Sequence, residues 1–142
     1  MAERKKILVV AETQAQARPH NIELGYGGYA YASVTDAGNA VAVIERAGPE
    51  EVGGVLVLGV YIPYSGLADA EVERLGAQRV GRENIGALAV VEAAEKKGLP
   101  MLIEDLGTPE AIKTILKRKS NVSLLKFNKL DDLSPAYRAV FQ

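Results

Sequence analysis

VLVLGVYIPYSG, residues Val55–Gly66, is the stretch that decides the fold. From Val55 to Pro63 no residue carries a formal charge. A continuous apolar run of that kind reads as a strand buried on both faces, and such strands belong to parallel sheets covered by helices. The run is therefore expected to be the central strand of a sheet. In open α/β sheets the ligand or reaction site lies beyond the carboxyl ends of the strands. The residue at which this run reaches that edge is Gly59, which brings no side chain to it.

The remainder of the chain bounds the class of protein. At 142 residues it is read as one domain, 1–142, large enough to bury a core without staples. Cysteine is absent, which excludes disulfides, thiolate metal sites and cysteine nucleophiles. Acidic and basic residues number 18 and 17, so bulk charge supports neither nucleic-acid nor anionic-membrane binding and leaves room only for a local basic patch. The opening MAERKKILVV holds too short an apolar run for a secretion signal or a membrane span. A cytoplasmic protein is expected, with no output domain after the last helix.

Outward from the central run, Lys6–Val10 reads as a first buried strand with Glu12 at its carboxyl end. Pro19 is expected to open a short helix that Gly25, Gly27 and Gly28 confine to a few turns. GYGG precedes a strand, Tyr29–Val34, whereas a phosphate loop follows one, so it is read as a turn. Thr35 or Asp36 caps a helix whose Ala37, Ala40, Val41 and Ile44 form one face, stopped at Gly48. Tyr64–Asn84 is too long for a structureless loop and is expected to hold a helix over Ala68–Leu75. A helix over Ile85–Lys97 ends at Gly98, and Met101–Glu104 makes a fourth strand. Thr108-Pro109-Glu110 starts another helix, with the proline in its first position and Ile112, Ile115 and Leu116 inside. Lys117-Arg118-Lys119 close it as favourable charges at a helix end. Val122–Leu125 is a fifth strand and Leu133, Ala136, Tyr137 and Val140 mark a last helix. Five strands alternating with about five helices make a doubly wound parallel α/β sheet.

These residues resemble the receiver domain of bacterial response regulators along nearly the whole chain. The matching segments are KKILVVAE, VTDAGNAVAVIE, VLVLGVYIP, LPMLIED and SLLKFNKLDDL, with Gly38-Asn39-Ala40, Pro63 and the Lys126-to-Leu133 spacing the most specific features. The resemblance implies a flavodoxin-like, three-layer fold with strand order 2-1-3-4-5 and an elongated segment at 64–84. The family's chemistry uses an aspartate nucleophile, two further carboxylates that hold magnesium, a hydroxyl and a lysine. At the matching positions this chain has Gly59 for the nucleophile, Ala11 for one metal acid and Asp105 for the hydroxyl, and retains Glu12 and Lys126. Glycine accepts no phosphoryl group, and one carboxylate is a poor magnesium site. The resemblance thus implies a degenerate receiver with no metal, no cofactor and no catalysis. The family's cis peptide after the lysine is expected to be trans here, because Phe127 follows Lys126.

Glu12, Asp105 and Lys126 are expected to converge at the carboxyl edge, with Lys126 paired to one of the two acids and holding the domain in one state. Tyr61, Tyr64, Ser65, Arg79 and Arg82 are candidate ligand or partner contacts, and the 64–84 segment is either a lid over the edge or a surface elaboration. Tyr29 and Tyr31 are read as sharing one strand face. His20, the sole histidine, has no serine, cysteine or second histidine set around it and is read as a surface or helix-start residue. The first functional reading is a protein-interaction module that cannot be phosphorylated. Receivers commonly pair through the surface that here comprises Pro109–Arg118, Val122–Leu125 and Asp131–Val140, so a homodimer through that surface is expected. The alternative is a flavodoxin-like binder of a small anion or nucleotide in the gap between Gly59 and Lys126.

Overall fold

In the computed structural model, residues 6–47, 51–77, 81–127 and 129–141 are described. Gly48 and Arg79 lie outside them. Five parallel strands, β1 (Lys6–Val10), β2 (Tyr31–Val34), β3 (Val52–Leu58), β4 (Met101–Glu104) and β5 (Val122–Leu125), form one sheet in the order β2-β1-β3-β4-β5. β3 is central, as its sequence requires: Val55, Leu56 and Val57 are fully buried. The pleat sends alternate residues into two cores. Leu8, Val10, Val55 and Val57 face one, and Ile7, Val9, Leu56 and Leu58 face the other.

Helices α2 (Ala37–Arg46), α3 (Asp69–Gly76), α4 (Ile85–Lys97) and α5 (Glu110–Lys117) contribute to the first core, whereas α1 (Gln14–Tyr26) and α6 (Leu133–Phe141) cover the second. The described residues thus include six α-helices, where about five were expected. α4 is buried on nearly every side because α2 and α3 both pack on it. Arg74 holds α3 against α4 by bridging Glu71 and Glu92 at 2.7 and 2.6 Å.

Several local expectations need correction. α1 begins at Gln14, with Thr13 as cap accepting from the Gln16 amide, so Pro19 lies inside the helix and removes one backbone bond there. The burial of Ala17 and Leu24 on the same face holds the helix on the sheet. β2 starts two residues late: Tyr29 precedes it and is buried, whereas Tyr31 is 44 % exposed. They do not share a strand face. Pro109 is the cap residue of α5, one place earlier than expected, and the α3 helix runs one residue later. In α2 Asp36 rather than Thr35 is the cap, its carboxylate accepting from the Asn39 amide.

Candidate functional site

The carboxyl ends of β1, β3, β4 and β5 place Ala11, Gly59, Asp105 and Lys126 along one edge of the sheet. Ala11 is buried, its amide donating to the Val34 carbonyl at 3.1 Å. Glu12 is exposed. Its amide donates to the Gln16 side chain at 2.9 Å, and Gln16 in turn donates to the Leu58 carbonyl at 3.1 Å. A neutral amide on α1 therefore stitches the ends of β1 and β3 together.

Gly59 leaves the strand with φ +90°, in the left-handed region that only glycine enters without cost. A Cβ built there would meet Leu106 Cδ1 at 3.3 Å. Leu106, from the turn after β4 and 47 % exposed, thus lies against the position where a gap was expected. The 64–84 segment does not cover this position through its helix, since α3 docks on α4 and Leu75 is buried in the first core.

The ion pair at this edge also differs from expectation. Asp105 Oδ2 lies 3.5 Å from Lys113 Nζ on α5, and Asp105 Oδ1 accepts the Thr108 amide at 2.9 Å. Lys126 is exposed, and among the described residues no carboxylate pairs with it. The expected pairing of Lys126 with Glu12 or Asp105 does not form. The reason is local: the Asp105–Thr108 turn aims the carboxylate along its own chain towards α5, one turn away. No cis peptide is present in the described residues.

Of the other candidates, Tyr64 and Arg82 are brought together. The Arg82 Nε donates to the Tyr64 hydroxyl at 2.7 Å, with the guanidinium 5.7 Å from the ring centroid. Ser65 is exposed and its carbonyl accepts the Gly38 amide, while Tyr61 is 42 % exposed.

The Thr108 amide foremost, aided by the Lys113 ammonium, holds the Asp105 carboxyl below the usual carboxylate range. A carboxyl whose pKa is lowered on folding stabilises the native state above its unfolded pKa and loses that contribution as pH falls through the folded value. Chemical denaturation of the wild type and Asp105→Asn across the acid range checks this. The difference between them should shrink below about pH 4, the ordinary carboxylate value.

Three residues central to this edge were missed. His20 is buried, not a surface residue, with Nε2 2.9 Å from Glu104 Oε2 and Nδ1 2.7 Å from the Tyr137 hydroxyl. A signal existed in the sequence. His20 falls three residues after Ala17 and four before Leu24, on the inward face of α1, and Glu104 alternates with Leu102 on the strand face turned to α1 and α6.

Among solved structures, a CheY-like response regulator receiver domain from Methanospirillum hungatei JF-1 superposes with a TM-score of 0.64 over 96 % of this chain and 92 % of its own, at 19 % identity. The chemotaxis response regulator CheY4 of Vibrio cholerae gives 0.62 over 96 % and 98 %, at 17 % identity. The fold is that of a receiver domain. A de novo designed Rossmann 2x3 protein also matches, with a TM-score of 0.57 at 13 % identity over 94 % of this chain and 86 % of its own. At such identities the receiver likeness speaks of architecture, and the designed protein shows that this architecture is compatible with unrelated sequences. No family model and no curated protein matches the sequence. No helix among the described residues is long and apolar enough to cross a membrane.

Proposed function

We propose that this chain is a receiver-fold signalling module that acts by binding protein and takes no phosphoryl group at the sheet edge. The observation that carries the reading is Gly59 at the end of the central strand, in a left-handed conformation with Leu106 packed against it. A phosphoaspartate there would need a carboxylate where no side chain exists, at a position against which Leu106 rests. The Asp105–Lys113 pair, in place of one to Lys126, holds the edge in a single arrangement, so the partner surface does not depend on phosphorylation.

The surface assigned to the partner is formed by α5, β5 and α6, and the partner is a second copy. β5 lies at the margin of the sheet, where among the described residues no strand runs beside its outer backbone groups. Leu125 on it is 38 % exposed, and α5 beside it offers Glu110 near one end and Lys117 and Arg118 near the other, a mixture of signs that suits pairing with itself.

Amide-resolved NMR with magnesium and beryllofluoride, a phosphoryl mimic, tests the reading. No change is expected at Gly59, Leu106 or Lys126. Saturable shifts there would show an edge that still accepts a metal and an anion, and would overturn it. The same spectra across a dilution series should move at Leu125 and the neighbouring α5 and α6 amides. Spectra that are independent of concentration, with the rotational diffusion of a monomer, would remove the homodimer.

A further inference from the structure

Beside the sheet edge, a cavity of about 360 Å³ opens between α1, the end of β4 and the start of α6. Pro19, Leu106, Phe127 and Leu133 give it apolar walls, and Glu104 and Lys129 also line it. Its size falls at the lower end of small-molecule sites.

The hydrogen bonds around His20 fix what Glu104 offers. Nε2–H donates to Glu104, and the Tyr137 hydroxyl meets Nδ1 on the other side of the ring, so both imidazole nitrogens are partnered. Tyr137 is buried behind the histidine and reaches no ligand, so the chain Tyr137–His20–Glu104 ends on the carboxylate at the cavity. The Glu104 side chain is only 15 % exposed, and among the described residues no lysine or arginine forms an ion pair with it. A carboxylate largely withdrawn from water, held by one imidazole N–H and with no lysine or arginine beside it among the described residues, can take a further charged donor from the cavity.

We propose that this cavity binds a small primary ammonium compound with an apolar body, and that the class it fits best is the apolar α-amino acids. The ammonium donates to Glu104 and the side chain packs on Leu106, Phe127 and Leu133. Lys129, exposed at the rim, pairs with the ligand carboxylate. His20 lines the cavity beside Glu104 and acts as a positioning residue that orients the carboxylate. The site adjoins the Gly59 position through Leu106, while its charged contacts, Glu104 and Lys129, lie outside it.

Three probes that share one apolar body separate the contributions. Leucine carries both charges, 3-methylbutylamine only the ammonium, and 4-methylpentanoate only the carboxylate. Followed by NMR shifts at Leu106 and Phe127, leucine and the amine should saturate while the acid should not. Glu104→Gln, which retains an oxygen acceptor for His20, should weaken leucine by about ten- to hundredfold, the range that one charge-assisted hydrogen bond carries. Lys129→Met should weaken leucine and leave the amine unchanged. Imidazole nitrogen shifts provide a second reading in the wild type without ligand at pH 8: a neutral ring protonated at Nε2 is expected. No saturation by leucine, equal binding of the acid, or an imidazolium already neutralising Glu104 would each overturn the proposal.

Discussion

Gly86→Ala is expected to destabilise the protein by about 3 kcal/mol, the upper range for overpacking a filled core. Helix propensity alone predicts the opposite, because alanine in a helix interior is better than glycine by about 1 kcal/mol. The structure reverses the sign. A Cβ on Gly86 in α4 would collide with the Ile62 carbonyl and sit 3.1 Å from the Pro63 oxygen. Both are backbone, in a segment that is itself tied down: Pro63 O accepts the Ala37 amide at 2.8 Å and Ser65 O accepts the Gly38 amide at 2.9 Å. Relief at α4 would therefore break the attachment of α2. Gly76 in α3 is the contrast, since its Cβ would meet only the flexible tip of Ile85 at 3.7 Å. Gly76→Ala should be neutral or stabilising by up to about 1 kcal/mol. Urea denaturation of the two variants reads this directly, and equal effects would refute the close approach of α4 to the Ile62–Pro63 backbone.

His20→Leu is expected to cost about 3 kcal/mol, because it leaves a buried and a partly buried partner unsatisfied. Glu104 loses a donor and the Tyr137 hydroxyl its acceptor. The double variant His20→Leu/Tyr137→Phe removes one orphan together with its partner, so it should be more stable than His20→Leu alone. Additive losses would show that the two side chains do not act as one unit. Alkaline pH gives an independent reading. Burial first, then the nearby Glu104 and Glu23 carboxylates, pushes the Tyr137 phenol well above its ordinary value. Above about pH 10 an unfolded tyrosine releases its proton while the folded one retains it, so the unfolded chain binds fewer protons and stability falls as pH rises. Tyr137→Phe should flatten that part of the slope, measured by denaturation between pH 9 and pH 11.

The resemblance to receivers, first visible in five short segments, anticipated the strand order, and β4, α4 and β5 appear at the expected residues. Their patterns were unambiguous: apolar runs of strand length, or an alanine- and valine-rich helix closed by Gly98 in the left-handed conformation. The boundaries that moved lie where local preference and packing compete. Pro19 disfavours a helix interior, yet Ala17, His20 and Leu24 bury one face of α1 on the sheet, which outweighs a single lost backbone bond. Val60 and Ile62 are as apolar as any strand and are buried, but the left-handed turn at Gly59 takes them out of the sheet.

The sequence by itself determined the alternation of strands and helices, the central position of Val55–Leu58 and the absence of a side chain at Gly59. These follow from local periodicity and residue identity, which need no knowledge of what lies across the fold. Only the tertiary structure decided that Leu106 packs at Gly59, that Asp105 turns to Lys113 instead of Lys126, and that His20 joins Glu104 to Tyr137. Each depends on which side chains the folded chain brings to a shared space or charge. His20 and Tyr137 stand 117 residues apart, and no local pattern carries such a pairing.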